Sequence, residues 1–270
     1  MTTWGRKNYE VPDGRLVQAE REIYQTFGDV VSIDQKAKTL IKFGKSAALT
    51  TGSLQTVWTV GGNETYVNGN LIDSVSSSST SDQEEIYIEG HTVAGAGQAQ
   101  QFTFVTQTVT LNGQTRVALP TPLARVSMVY NNNGTPLVGR VVAYENTTLT
   151  GGIPTDVTKI HIDIPAGFQE SFKAATTFSN TDYYILTGGF GAVSGKQDGA
   201  ADFYLELREP GKIFRQVAAV AGSNSGPWQI DLDPAVVIPK NCDIRVRVDS
   251  GSNNLVVFTS FKGYLAKVIS

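Results

Sequence analysis

Apolar and polar positions alternate with a period of two along most of the chain beyond residue 84. Phe102 and Phe104 lead into Thr106-Gln107-Thr108-Val109-Thr110-Leu111. Ile160, Ile162 and Ile164 alternate with His161 and Asp163, Phe203, Leu205 and Leu207 with Tyr204, Glu206 and Arg208, and Ile244, Val246 and Val248 with Arg245, Arg247 and Asp249. Successive strand residues point to opposite faces, so this rhythm predicts strands with one buried side. Ile86-Tyr87-Ile88, Val126–Tyr130, Val138–Tyr144, Tyr183–Thr187 and Leu255–Phe261 read as further strands. Turn chemistry separates them. Asn112-Gly113 predicts a type I′ hairpin returning over Thr115–Leu119. Asn131-Asn132-Asn133-Gly134 would pair the strands on either side of it, and Pro210-Gly211 turns the chain into Ile213–Val220. Many short strands with turn signals between them predict an antiparallel β-sandwich, jelly-roll-like in form. Periodicity leaves open whether residues 84–270 build one sandwich or two.

The first fifty residues have a different pattern. Leu16, Ala19, Ile23 and Phe27 fall at helical spacing between Asp13 and Gly28. Ser32 and Gln35 form a potential capping box for a second short helix over Ile33, Ala37, Leu40 and Ile41, stopped by Gly44. Residues 51–73 look extended and are broken by Gly61-Gly62 and Gly69. The polar run Ser74-Val75-Ser76-Ser77-Ser78-Ser79-Thr80-Ser81-Asp82 reads as a linker or exposed loop. The predicted organisation is therefore an N-terminal arm over 1–83 and a β domain over 84–270.

Charge and composition narrow the function. The 270 residues carry 22 basic and 25 acidic side chains, with no basic run to neutralise phosphates, so no nucleic-acid surface is expected. No apolar stretch has the length of a membrane span. A single cysteine, Cys242, excludes an intrachain disulfide framework, and it reads as a small core residue. The two histidines, His91 and His161, lack metal-ligand spacing and read as ordinary surface or turn residues. Gly189-Phe190-Gly191-Ala192-Val193-Ser194-Gly195-Lys196 is followed by Gln197 where a phosphate loop needs Ser or Thr. Gly44-Lys45-Ser46 has Thr39 where the first glycine belongs, and both segments read as loops. No Gly-x-Ser-x-Gly elbow exists. Asp231 and Asp233 read as turn carboxylates rather than calcium ligands. No catalytic residue, cofactor or metal is expected. Trp4, Tyr9, Trp58 and Tyr66 are the candidate interface anchors, because aromatic side chains bury much area at little entropic cost.

Several segments in order resemble virion structural proteins of tailed bacteriophages, especially phages of aquatic bacteria: Ile41-Lys42-Phe43-Gly44-Lys45, Gln55-Thr56-Val57-Trp58, the serine run leading to Ile86-Tyr87-Ile88-Glu89-Gly90, Thr108 through Thr115, Leu123-Ala124-Arg125, and Ile164-Pro165-Ala166-Gly167. The similarity spans roughly residues 40–170. It implies a capsid cement or decoration protein with an N-terminal arm, located in the virion. Its partners would be the major capsid protein or other virion proteins, and it would form a homo-oligomer, with a trimer favoured. The same strands would also suit a tail, fibre or adaptor protein, or a carbohydrate-binding module. Strict repetition along the chain, expected of a fibre, is not seen in the sequence.

Overall fold

The computed structural model describes residues 38–46, 49–194, 199–223, 227–251 and 254–267. Regular structure among them is almost entirely antiparallel strand, interrupted by two short 3-10 turns, Gly97–Ala99 and Val157–Lys159. The predicted all-β sandwich class is what the protein adopts.

The described residues form two sandwiches. The first is built from β3 (Ile72–Ser77), β4 (Glu85–Ala94), β5 (Gln101–Thr110), β6 (Val117–Leu123), β7 (Arg125–Asn131), β8 (Val141–Glu145) and β11 (Ile160–Ile164). Its sheets have the orders β11-β8-β3-β6 and β5-β4-β7. Ile72, Val75, Val141 and Ile162 from one sheet meet Ile86, Ile88, Val126 and Val129 from the other in a closed apolar core. The outer face of the first of these sheets is covered by a small hairpin, β9 (Leu149–Thr150) with β10 (Ile153–Pro154), so Tyr144 and Ile160 are buried on that side too. The second sandwich uses β1 (Lys38–Ser46), β2 (Gln55–Thr56), β12 (Ala175–Thr177), β13 (Asp182–Ser194), β14 (Ala200–Arg208), β15 (Arg215–Ser223), β16 (Trp228–Ile238), β17 (Asp243–Ser250) and β18 (Val256–Lys267). Its sheets run β1-β18-β13-β16 and β12-β17-β14-β15, with β2 also on β17. Tyr184, Leu186 and Phe261 pack there against Phe203, Ile244 and Val248. The first sandwich is thus inserted between β2 and β12 of the second.

The two share one strand topology. In the first, the β3–β4 pair steps from one sheet to the other, flanked by β8 and β7 on one side and by β6 and β5 on the other. In the second, β13–β14 is flanked in the same way by β18 and β17 and by β16 and β15, and β1 occupies beside β18 the place that β11 occupies beside β8.

Several expectations are corrected. Leu40, Ile41 and Gly44 belong to β1, paired with β18 over its whole length, rather than to a capped helix. The helical spacing of two or three apolar residues loses to an edge position beside a long ready-made strand. The serine run is not a linker. Ser74, Ser76 and Ser77 are buried in β3, and residues 78–82 form a tight turn. The described residues between 38 and 83 therefore belong to the β fold; the rest of the expected arm, including the helix over 13–28, lies outside the described residues. Asn112-Gly113 makes a tight turn, with Thr115 N–H donating to the Asn112 carbonyl at 3.0 Å. Yet β5 and β6 lie in different sheets, as do β7 and β8 across the Asn131–Gly134 turn, so neither pair is a hairpin. Pro210-Gly211 does close one, β14 with β15. The segments 44–46 and 189–194 are strand rather than loop, in β1 and β13, and Asp231 and Asp233 lie on β16.

Candidate functional site

The chemically dense part of the molecule is the junction where the sandwiches meet. Arg125 opens β7 and Asp243 opens β17, at equivalent places in the two halves. Arg125 pairs in register with His91 on β4, and Asp243 with Arg208 on β14. The Arg125 side chain crosses the junction. Its Nε donates to Asp243 Oδ1 at 3.0 Å, and its terminal nitrogens donate to Asp243 Oδ2 at 3.4 Å and to the carbonyls of Val67 and Ala124. Asp243 also accepts from Arg208 Nε at 3.0 Å and from the Thr177 hydroxyl at 2.6 Å. Burial works to raise the Asp243 pKa, but the guanidiniums of Arg125 and Arg208 and these hydrogen bonds outweigh it and hold the carboxyl below its ordinary range.

Tyr66 and Phe214 form the apolar filling of this network, 5.1 Å apart between ring centres. Arg208 stacks over Tyr66 at 4.2 Å and Arg245 over Phe214 at 3.7 Å. Arg245 and Arg247 both donate to Glu206, Nε to Oε2 at 2.9 and 2.7 Å. Next to it, Lys173 Nζ pairs with Glu64 Oε1 at 2.5 Å, donates to the carbonyls of Val126 and His161, and lies over the Trp58 ring. Lys42 of β1 reaches across to the Ser127 carbonyl at 2.8 Å. Burial pushes its pKa down to about 8, with Glu89 opposing and Lys173 assisting.

Trp58 and Tyr66, expected as subunit anchors, are therefore committed inside this chain: Trp58 is 3% exposed, with its indole N–H directed to the carbonyls of Gly61 and Gly62. Trp4 and Tyr9 lie outside the described residues. The histidines are not surface residues. His91 is 3% exposed, its Nδ1 has no hydrogen-bond partner among the described residues, and burial lowers its pKa to about 3. His161 is buried because both faces of β11 are covered. Its Nε2 lies 3.0 Å from a Glu145 carboxylate oxygen, yet burial and Lys173 bring its pKa down to about 4. Cys242 is a core residue as expected, its thiol pushed up to about 12 by burial. Among the described residues no cluster of three or more His, Cys, Asp or Glu converges on a common point.

A second feature was not anticipated. At the rim of the junction, Phe43 on β1, Phe258 on β18 and Phe168 and Phe172 on the connector after Pro165-Ala166-Gly167 form a partly exposed aromatic cluster. Phe172 lies edge-on to Phe43 and to Phe168, and Lys45 Nζ sits 5.0 Å above the Phe168 ring. The signal in sequence is faint, two phenylalanines four apart in a stretch with no strand rhythm. Elsewhere on the surface, Ile41, Phe104 and Phe190 are exposed on strand faces.

No protein-family model matches the chain, and no curated protein does. Solved structures to which it is similar include infectious bursal disease virus of the Gt strain, at 12% identity over 94% of this chain and 83% of that one with a TM-score of 0.20. The Gx strain of that virus matches at 10% identity over 98% and 84%, again with a TM-score of 0.20. The VP2 subviral particle of the same virus matches at 12% identity over 93% and 83%, TM-score 0.18. Similarity of that degree carries no argument about fold or role, which rest here on the chain's own residues.

Proposed function

We propose that this protein is a non-catalytic structural subunit of a bacteriophage virion, a cement or decoration protein on the head. The observation that carries the reading is the construction of the junction. Its buried arginines are spent on buried carboxylates and on aromatic rings of the same chain, which locks two rigid sandwiches together and leaves apolar side chains on outer strand faces. A rigid body with fixed faces is what a particle-stabilising protein requires. The resemblance of the ordered segments over residues 40–170 to tailed-phage virion proteins supports the same role. In this reading the arm that docks on neighbouring subunits is confined to residues 1–37, the major capsid protein is the partner, and the subunit assembles with copies of itself, as a trimer between capsomers.

Mass spectrometry of purified particles, together with a cryo-electron microscopy map, tests this. The expected result is a fixed copy number on the outer head surface in three-fold clusters. Finding the chain only in the infected cell and never in the particle would overturn it.

A further inference from the structure

A shallow groove of about 500 Å³ runs along the outer face of β4 and β7 beside the connector that follows Gly167. Glu89, Met128 and Tyr130 form its floor, since Ile86, Ile88, Val126 and Val129 point the other way into the core. The connector forms its wall and is held on the edge of β7, with Asn131 N–H donating to the Gln169 carbonyl at 2.7 Å and Ser171 N–H to the Val129 carbonyl at 2.9 Å. That attachment presents Phe168, Glu170 and Phe172 to the groove.

We propose that this groove receives a cationic side chain, an arginine or lysine on a segment of a neighbouring protein. Charge complementarity supports this occupant. The carboxylates of Glu89 and Glu170 form no ion pair among the described residues, although Lys42, itself bound to the Ser127 carbonyl, lies within electrostatic reach of Glu89. Aromatic rings beside carboxylates are the surroundings a guanidinium or ammonium takes, attracted by ring faces and by the acids together. The adjoining cluster already holds one such cation, Lys45 above Phe168 and Phe258. The junction holds others in the same manner, Arg208 and Arg245 over Tyr66 and Phe214.

A sugar would also use the rings, but it needs amide groups to serve its hydroxyls, and those in the groove are largely spent. Asn131 Nδ2 donates to the Thr135 carbonyl and to Gln169 Oε1, each at 2.7 Å, and Gln169 Oε1 accepts from Leu137 N–H as well. The source of the cation in a neighbouring subunit rests on the virion reading; the groove's preference does not, and the two can fail separately.

The experiment titrates the full-length ¹⁵N-labelled protein with capped Gly-Arg-Gly at low salt and follows amide shifts. A matched peptide with citrulline in place of arginine, and chitobiose, serve as comparison probes. Shifts confined to the surroundings of Glu89, Tyr130 and Glu170, produced by the arginine peptide alone and suppressed by added salt, are expected. The Glu89→Gln/Glu170→Gln variant should bind about tenfold more weakly, and Phe168→Ala about threefold more weakly with the carboxylates intact. All the substituted side chains are partly or fully exposed, and the unperturbed spectrum of each variant verifies its fold. Absence of shifts at the groove, an equal response to citrulline, a response to chitobiose instead, or unchanged binding by the double variant would overturn the proposal.

Discussion

At the scale of single residues, the polar side chains that the sequence presents as surface are the ones most deeply committed. Asp82 ends the serine run. Its Oδ1 accepts from Val138 N–H at 2.9 Å, and its Oδ2 accepts from Gly139 N–H at 3.0 Å and from the Ser77 hydroxyl at 2.5 Å. Removing this acceptor leaves buried donors unpaired, so Asp82→Ala should lower stability by about 3 kcal/mol, read from the urea midpoint, and Asp82→Asn by less because one acceptor oxygen survives. His91 gives a pH signature. Burial lowers its folded-state pKa from 6.5 to about 3, so in that interval the unfolded chain binds a proton that the folded one does not. Stability from this residue is fully present above pH 6.5 and falls as the pH drops toward 3. In a series of urea titrations over that window, His91→Gln should flatten the slope; a slope as steep as in the parent protein would show that other groups cause it.

At the scale of elements, strand existence was legible and strand partnership was not. The alternating segments 102–110, 160–164, 203–208 and 244–248 all lie in strands, because period-two alternation reports a half-buried face whichever neighbour supplies the hydrogen bonds. The same local signal does not say whether a turn returns the chain to the strand it left or carries it to the opposite sheet, and Asn112-Gly113 does the latter. Serines misled for a related reason. Polar composition suggests solvent, but Ser76 donates to the Gly152 carbonyl at 2.6 Å and lies against Tyr144, so β3 buries hydroxyls with their partners supplied. β1 was missed because Leu40 and Ile41 also fit a helical spacing, and its place depends on pairing with β18 more than two hundred residues later. Its inner side is tightly seated: a Cβ on Gly44 would meet Ala174 and the Val57 carbonyl at 2.5 Å. Gly44→Ala should therefore destabilise by about 2 kcal/mol through displacement of β1. Truncation follows the same logic. Deleting residues 1–37 leaves every described strand intact and should preserve the β signature in circular dichroism. Deleting residues 1–80 removes β1, β2 and β3 and should abolish folding, so attachment to particles can be tested only with the shorter deletion.

At the scale of the whole molecule, the two sandwiches repeat one topology with no repeat visible in sequence, because topology constrains where strands lie and leaves side chains free to diverge. The equivalent starts of β7 and β17 carry opposite charges, Arg125 and Asp243, and meet at 3.0 Å. Of the candidate anchors chosen from sequence, Tyr66 does lie at this pair, with the Arg125 guanidinium 5.0 Å from its ring centre; Arg125 and Asp243 themselves, 118 positions apart, are brought together only by the insertion of one sandwich into the other. The junction should decide whether the molecule unfolds as a unit. Each sandwich has its own closed core, so each has the means to unfold separately, and cooperativity depends on the groups between them. Asp243→Ala leaves Arg125 and Arg208 without their shared carboxylate, and loss of one partner of a buried ion pair costs about 3–5 kcal/mol. That cost falls on the contact between the cores rather than inside either of them. The expected outcome is a change in the form of the transition as well as its midpoint: the parent protein unfolds in one step in urea, and the variant in two, with tryptophan fluorescence and far-ultraviolet circular dichroism no longer coincident. Thr177→Val, which removes only one neutral donor to the same carboxylate, should shift the midpoint slightly and keep a single step. If Asp243→Ala retains one coincident transition, cooperativity comes from the backbone connections and apolar contacts at the junction, and the ion network is not what joins the two halves.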